Sequence, residues 1–288
     1  MDQIKIIECP RDAMQGIKKW IPTGHKISYL QSLLNVGFDT LDCGSFVSPK
    51  VIPQLKDTAD VIKGLDLSST KTKLSVIVAN LRGAEEACKF DQINYLGFPF
   101  SISENFQIRN TNKSIDESFE VVRCISRKAL NSNKELVVYL SMGFGNPYGD
   151  PWGQEILCYW CEKLEDLGIN KIILSDTIGS AKTEDISSIF KILIPKFKKI
   201  DFGAHLHTTM DRWSDKINAA FSSGCKSFDG VINGFGGCPM ASSDLVGNMP
   251  TEKLITYFTS QNINLHLNTL NFESSFNLAL KILKYNLE

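Results

Sequence analysis

The sequence predicts an α/β protein that folds as a closed (β/α)8 barrel, the TIM-barrel architecture, with extra helices at its C-terminal end. Two observations lead to this fold class. Eight short apolar runs alternate with longer amphipathic stretches throughout the chain, and such alternation is typical of parallel strands connected by helices. The length of 288 residues also suits one barrel, which typically needs ~250.

The apolar runs are the predicted strands. They occupy residues 4–8, 40–44, 74–79, 93–98, 136–141, 171–175, 201–207 and 227–232. Three of the intervening segments share one pattern, in which apolar residues recur at helical spacing and a glycine then ends the helix. These glycines are Gly37, Gly168 and Gly224. The repeated order of helix, glycine and strand supports one continuous series of β/α units.

The domain organisation follows from the absence of a composition break or a Pro/Ser-rich hinge. We predict a single domain over residues 1–288, with a C-terminal helical extension over about 250–288. The alternative is an open, doubly wound sheet. That fold would place a glycine-rich phosphate turn after the first strand, and residues 8–12 (ECPRD) contain no glycine.

The composition is that of a soluble globular protein, with 43% hydrophobic and 22% charged residues. A net charge of −1 provides no bulk attraction to nucleic acid. No apolar run approaches the ~18 residues of a membrane span, and the N-terminus shows no targeting pattern, so we expect a cytoplasmic protein.

The eight cysteines show no disulfide framework. The C-x-x-C pair at Cys158 and Cys161 lies inside a helical pattern, without a second pair or a nearby histidine. We therefore interpret these two thiols as packing groups rather than as a zinc or redox site.

The most informative motif is the H-x-H formed by His205 and His207, which includes two of the four histidines of the chain. Residues two apart on a strand point to the same side, so both imidazoles can share a metal ion. Taken alone, the motif is equally compatible with a solvated or packed pair.

Other polar residues gather where the predicted strands end, which is where barrel enzymes place their active sites. These residues are Glu8, Arg11, Asp12, Gln15, Asp42, Ser45, Ser141, Ser175, Asp176, Thr177, His205 and His207. We expect their side chains to meet at one end of the barrel.

A metal site is the chemistry that this group favours. Two imidazoles need an anionic ligand, and Asp12 is the best candidate, with Asn248 adding a neutral oxygen. Such a mixed N/O set suits Mg²⁺ or Mn²⁺ and tolerates Zn²⁺ or Co²⁺. The alternatives are a helix cap or an ion pair for Asp12 and a turn for Asn248.

Two further residues carry possible chemistry beside this site. Arg11 is always charged, so it can stabilise an enolate or a carbonyl oxygen that gains charge, or it can instead pair with Glu8 or Asp42. Cys238 lies in a Gly–Gly–Cys–Pro loop, where a thiol can donate or accept a proton or gate the site.

These residues together resemble the 3-hydroxy-3-methylglutaryl-CoA (HMG-CoA) lyase family, metal-dependent TIM-barrel lyases related to isopropylmalate and homocitrate synthases. The motifs that carry the resemblance lie at residues 10–12 with Gln15, 45–50 (SFVSPK), 53–54, 103–104, 175–179 (SDTIG), 205–207, 236–239 (GGCP), 247–248 and 251–252. The SFVSPK and GGCP segments are specific to the lyase branch.

The resemblance implies retro-Claisen cleavage of a 3-hydroxyacyl-CoA to acetyl-CoA and a keto acid, which is acetoacetate in the type reaction. By family analogy, the metal ligands are Asp12, His205, His207 and Asn248. The implied catalytic residues are Arg11, Cys238, Asp42 and His205, and the implied substrate- or CoA-binding residues are Gln15, Ser45, Lys50, Ser103, Asp176 and Thr177. The implied partners are an acyl-CoA and a second copy of the chain in a homodimer.

The chain departs from the family pattern at Ala13, Asp42, Asn146 and Thr208. We expect these changes to alter the wall around the acyl group, which leaves a related 3-hydroxyacyl-CoA as an alternative substrate. Two other functions stay open: a Claisen-type synthase that condenses acetyl-CoA with a 2-oxo acid, and a non-catalytic barrel that binds metal or acyl-CoA. The GGCP loop and the short segment after the barrel favour the lyase.

Overall fold

The eight strands form one closed, wholly parallel barrel in which each strand pairs with the next and β1 pairs with β8. The computed structural model describes residues 3–237 and 246–283. The strands are β1 (Lys5–Glu8), β2 (Thr40–Ser45), β3 (Lys73–Ile77), β4 (Ile93–Ser101), β5 (Glu135–Ser141), β6 (Lys171–Asp176), β7 (Asp201–Leu206) and β8 (Ser227–Gly230). The predicted (β/α)8 fold class is confirmed.

Helices cover the outside of the barrel between the strands. They are α1 (Pro10–Gln15), α2 (Thr23–Leu34), α3 (Thr58–Lys63), α4 (Leu81–Ala87), α5 (Glu104–Thr111), α6 (Ile115–Asn131), α7 (Gln154–Asp166), α8 (Thr183–Lys196), α9 (Trp213–Ser222), α10 (Thr251–Ser260) and α11 (Thr269–Leu283). Two short 3₁₀ helices lie at Pro53–Leu55 and Ile232–Gly234. Among these helices, none is both long and apolar enough to cross a membrane.

The core lies between the strands and the helices. Side chains such as Phe98, Leu164, Phe190 and Phe258 are fully buried there, as expected for a parallel sheet that is covered on its outer face. The end of the barrel where the strands begin carries two ion pairs, in which the Nζ atoms of Lys5 and Lys171 lie 2.6 and 3.3 Å from Asp201 Oδ2. The opposite end carries the polar residues that the sequence places there.

The C-terminal helices α10 and α11 correspond to the predicted helical extension. The helix α11 packs back against the α2–β2 connection, where Asn268 N donates to Val36 O at 2.8 Å and Phe272 meets Phe38 with ring centroids 6.3 Å apart. The assignment of residues 1–288 to one domain stays a prediction.

The predicted ends of β7 and β8 were wrong, because both strands end earlier than the sequence indicates. The strand β8 ends at Gly230: Val231 is still extended but bridges Pro250, and Ile232 begins a 3₁₀ turn in which Asn233 adopts a left-handed φ of 58°. His207 lies just beyond β7 and pairs instead with Asn248 in an isolated antiparallel bridge. The segment after β8 therefore returns to the end of β7. All seven cysteines in the described residues, Cys158 and Cys161 among them, are free thiols.

Candidate active site

The two histidines of the H-x-H motif meet the first-strand carboxylate at the C-terminal end of the barrel. His205 ends a run of inward positions on β7, and its ring centroid lies 5.4 Å from that of His207. His205 Nε2 lies 3.6 Å from Asp12 Oδ2. Asp12, His205 and His207 each present one potential ligand atom, and these atoms all lie within 4.8 Å of one another.

The fourth predicted ligand, Asn248, reaches the same end of the barrel through its bridge to His207. Its Nδ2 donates to Phe235 O at 2.9 Å, whereas its Oδ1 is buried and has no hydrogen-bond partner within residues 3–237 and 246–283. An orphaned buried oxygen is costly unless a ligand satisfies it. Together with two imidazoles and one carboxylate, this oxygen completes a donor set that fits a divalent cation.

The protonation state of His207 also suits a metal site. Burial, with the neighbouring His205 as the next cause, lowers the pKa of His207 to about 3. Its imidazole is therefore neutral at pH 7, which is the form that binds metals.

Arg11 is fixed at the edge of this group by three hydrogen bonds to two partners, one carboxylate and one amide. Its Nε and Nη2 atoms donate to Asp42 Oδ2 at 2.9 and 2.7 Å, and Nη1 donates to Gln15 Oε1 at 2.9 Å. Gln15 Nε2 in turn donates to Asp12 Oδ1. The chain of contacts links the guanidinium to the candidate metal ligand, so Arg11 both pairs with Asp42 and lies beside the site.

Charge on this buried pair is retained at neutral pH. Burial lowers the pKa of Arg11, but the charges of Asp42 and Asp12 outweigh that effect and raise it above its ordinary value. Burial raises the pKa of Asp42 to about 6, and the guanidinium opposes the rise. Both groups are therefore ionised at pH 7.

Asp229 is a site residue that the sequence reasoning missed. It lies on β8 and is 3% exposed, and its Oδ2 is 2.9 Å from His205 Nδ1. Burial lowers the pKa of His205, but the hydrogen bond and charge of Asp229 outweigh this and raise it. A carboxylate on the second ring nitrogen fixes the orientation of a ligating histidine. An acidic residue inside the apolar run 227–232 was the signal available in the sequence.

A cavity of about 260 Å³ opens beside these residues. Its wall contains Arg11, Asp12, Gln15, His205 and His207 on one side. The rest of the wall is largely apolar, with hydroxyl groups from Ser141, Ser175 and Thr177. Of the predicted substrate-binding residues, Gln15 and Thr177 thus face the cavity.

Four other predicted substrate-binding residues do not line this cavity. Ser103 caps α5 and donates to Asp150 Oδ2 at 2.5 Å, and Ser45 Oγ accepts from Val47 N at 3.1 Å. Lys50 is exposed in the loop after β2. Asp176 points to the outer side of the barrel wall, where it meets Lys216 Nζ at 2.5 Å. These placements give no direct support for contact with the acyl group.

Cys238 lies outside the described residues, but Gly236, two residues before it, is described. Gly236 has a φ of +82°, and a Cβ atom there would lie 2.7 Å from the carbonyl oxygen of Asp12. Only glycine allows this close approach. Gly236 therefore passes directly against the backbone of a candidate metal ligand.

Comparison with known proteins gives a consistent result. A family model described as HMGL-like matches residues 3–278. The hydroxymethylglutaryl-CoA lyase YngG of Bacillus subtilis is 34% identical over 246 residues, which cover 85% of this chain and 81% of the relative. The hydroxymethylglutaryl-CoA lyase of Pseudomonas mevalonii is 28% identical over 256 residues, covering 88% and 84%.

Solved structures agree with these relatives. The Bacillus subtilis HMG-CoA lyase superposes with a TM-score of 0.92 at 30% identity, covering 99% of this chain and 95% of that one. An HMG-CoA lyase from Acinetobacter baumannii, in complex with coenzyme A and 3-methylmalate, gives 0.90 at 26% identity, covering 98% and 92%.

Proposed function

The chain belongs to the HMG-CoA lyase family, and from that premise we infer that it cleaves 3-hydroxy-3-methylglutaryl-CoA to acetyl-CoA and acetoacetate. The observation that carries this proposal is the convergence of Asp12, His205 and His207 within 4.8 Å, beside the charged side chain of Arg11. The sequence-based recognition of the family and of the enzyme class is confirmed by the comparisons.

The protein's own side chains would hold one divalent cation. Asp12, His205 and His207 would be ligands, with Asn248 Oδ1 as the fourth. We propose Mg²⁺ or Mn²⁺ as the metal, because the oxygen ligands and the neutral imidazoles suit either ion, and the same set tolerates Zn²⁺ or Co²⁺. When bound, the cation supplies the Lewis acidity that makes removal of a proton from a tertiary hydroxyl group feasible at neutral pH.

Arg11 supplies the positive charge for the second half of the reaction. Cleavage of the carbon–carbon bond leaves an electron pair on the acetyl-CoA fragment, which spreads onto the thioester oxygen as an enolate. A guanidinium already fixed in place stabilises such developing charge without reorganisation. Asp42, which accepts two hydrogen bonds from Arg11, acts through Arg11 and is a positioning residue in this scheme.

Proton transfer completes the reaction. The enolate must be protonated to give acetyl-CoA, and the sequence offers His205 and Cys238 for this role. His205 lies between the carboxylates of Asp12 and Asp229, so as a metal ligand through Nε2 it would keep its proton at Nδ1 against Asp229, which favours Cys238 as the donor to the enolate. The role of Cys238 stays a prediction.

The cavity wall supports the type substrate. Of the four departures from the family pattern, Ala13, Asn146 and Thr208 do not line the cavity. Asn146 instead binds the backbone of residues 148 and 150, and Thr208 Oγ1 donates to Thr209 O at 3.0 Å. Asp42 reaches the cavity only through Arg11. None of the four departures therefore contributes a side chain to the described part of the cavity wall, which supports the type substrate; the effect of these departures on substrate choice stays a prediction.

The lyase is favoured over the other functions considered above, because the relatives and structures described are HMG-CoA lyases. An acyl-CoA is the corresponding small-molecule partner, in keeping with the coenzyme A bound by the Acinetobacter baumannii enzyme. The homodimer and the cytoplasmic location stay predictions.

A direct assay tests the proposed function. Purified protein is incubated with 3-hydroxy-3-methylglutaryl-CoA and Mg²⁺ or Mn²⁺, and acetoacetate release is followed with and without EDTA. We expect cleavage that EDTA abolishes and added metal restores. The variant His266→Ala, which changes a histidine outside the site, should retain full activity. Metal-loaded protein that releases no acetoacetate would exclude this substrate.

A further inference from the structure

Lys216 is a buried lysine that contacts the backbone of the candidate metal ligand His207. It projects from α9 and is 1% exposed. Its ammonium group donates to Asp176 Oδ2 at 2.5 Å, to His207 O at 2.8 Å and to Gly179 O at 2.9 Å. All three donors of the lysine are therefore used.

A buried ion pair seldom increases stability over well-packed apolar residues, since both charges lose their hydration. Stability alone therefore does not explain the Lys216–Asp176 pair. The other contacts of these two residues indicate a positional role.

Asp176 joins the pair to the loop after β6. Its second carboxylate oxygen accepts a hydrogen bond from Ala181 N at 3.0 Å. Gly179 lies inside the loop, and a Cβ atom there would lie 2.6 Å from Val246 Cγ1. The loop thus packs on Val246, two residues before the candidate ligand Asn248.

The other contact of Lys216 fixes the end of β7. The residues on either side of His207 are held by the returning segment, because Met249 N donates to Leu206 O and Thr208 N donates to Gly247 O, both at 3.0 Å. His207 lies between them, beyond the last paired residue of β7, and Lys216 holds its carbonyl group. The backbone position of His207, which presents one of the two imidazoles, therefore depends on Lys216.

We propose that Lys216 and Asp176 are positioning residues that fix His207, and through the β6 loop Asn248, in the geometry that binds the divalent cation. This role rests on the metal site of the proposed function. It also replaces the substrate contact predicted for Asp176 from the sequence.

The chain offers a matched control in a second buried lysine. Lys26 is also 1% exposed, and its Nζ lies 2.7 Å from Asp57 Oδ1. It likewise donates to a backbone carbonyl, that of Gln54. This pair connects α2 to the segment before α3 and contacts none of the four candidate ligands.

The experiment compares Lys216→Met with Lys26→Met. Both variants remove a buried charge with little change in volume, so both should unfold at a lower temperature than the wild type. Mn²⁺ affinity is measured by calorimetric titration of each folded protein. We expect Lys216→Met to weaken Mn²⁺ binding by about 10- to 100-fold, as is typical for residues that orient metal ligands, and Lys26→Met to leave it unchanged. Wild-type affinity in Lys216→Met, or equal weakening in both variants, would overturn the proposal.

A double variant covers the case in which the unpaired Asp176 carboxylate prevents folding. Asp176→Asn combined with Lys216→Met keeps an acceptor for Ala181 N but still lacks the donor to His207 O. Its Mn²⁺ affinity should fall by a similar factor, and wild-type affinity would refute the positioning role. If the wild type itself binds no Mn²⁺, the proposed metal site is refuted instead, which separates the two failures.

Discussion

Glu8 connects the first strand of the barrel to the segment that follows the last strand, and its ionisation can be tested. It is fully buried at the end of β1. One carboxylate oxygen accepts from Ile232 N at 3.0 Å, and the other accepts from Thr251 Oγ1 at 2.5 Å. We consider the substitution Glu8→Gln, which keeps the shape and one acceptor oxygen but removes the ionisable group.

The size of the effect follows from the pKa of this carboxyl. Burial raises the pKa of Glu8 from 4.5 to about 8, against the hydrogen bonds from Thr251 and Ile232. The folded protein therefore holds this proton more tightly than the unfolded chain does. Stability from this group is present below pH 4.5 and is lost as the pH rises towards 8. The difference of 8 − 4.5, at about 1.36 kcal/mol per pKa unit, amounts to about 5 kcal/mol.

The assay is urea unfolding of the wild type and of Glu8→Gln between pH 5 and pH 8.5. The variant should gain stability relative to the wild type as the pH increases, by about 4 kcal/mol between pH 5 and pH 8.5, because part of the full effect lies below pH 5. The exposed Glu120→Gln substitution serves as the control and should show no such trend. Parallel stability curves for the wild type and Glu8→Gln would show that Glu8 does not hold its proton in the folded state.

Further predictions concern the metal site and its neighbours. Asp229→Asn should weaken Mn²⁺ binding by about 10- to 100-fold in calorimetric titrations, because His205 loses its orienting carboxylate; an unchanged affinity would contradict this role. Asp12→Ala should abolish Mn²⁺ binding, whereas Arg11→Ala should keep the metal and lower kcat/KM by about 100-fold or more. Near-full turnover in Arg11→Ala would show that charge stabilisation is misassigned. Asn248→Ala should weaken Mn²⁺ binding without altering the far-UV circular dichroism spectrum.

Much of the fold could be predicted because its signals are local. Alternation of apolar runs with helical patterns determines a parallel barrel, and strand periodicity places His205 and His207 on one side. The same periodicity, applied to β6, would have placed Asp176 outside the barrel, since Ser175 and Thr177 point inward on either side of it.

Other features of the site depend on contacts between distant parts of the chain. Lys216 and Asp176 are 40 residues apart, and nothing in their local sequence pairs them. Asp229 is recognised only when β8 lies beside β7, which brings its carboxylate to His205 Nδ1. The ends of β7 and β8 were also not predictable from local sequence, because the distant segment around Asn248 supplies their next hydrogen-bond partners: Met249 N donates to Leu206 O, and Val231 N donates to Met249 O.

The wide separation of the proposed metal ligands along the chain has a consequence for biosynthesis. Asp12 leaves the ribosome long before Asn248, and 248 − 12 gives 236 residues between them. At a translation rate of ~5–20 residues per second, the interval is about 12 to 47 s. Throughout that time the nascent chain cannot assemble its set of ligands. The complete set of proposed ligands therefore forms only after synthesis has passed Asn248, and a chain terminated before that residue should bind the cation more weakly.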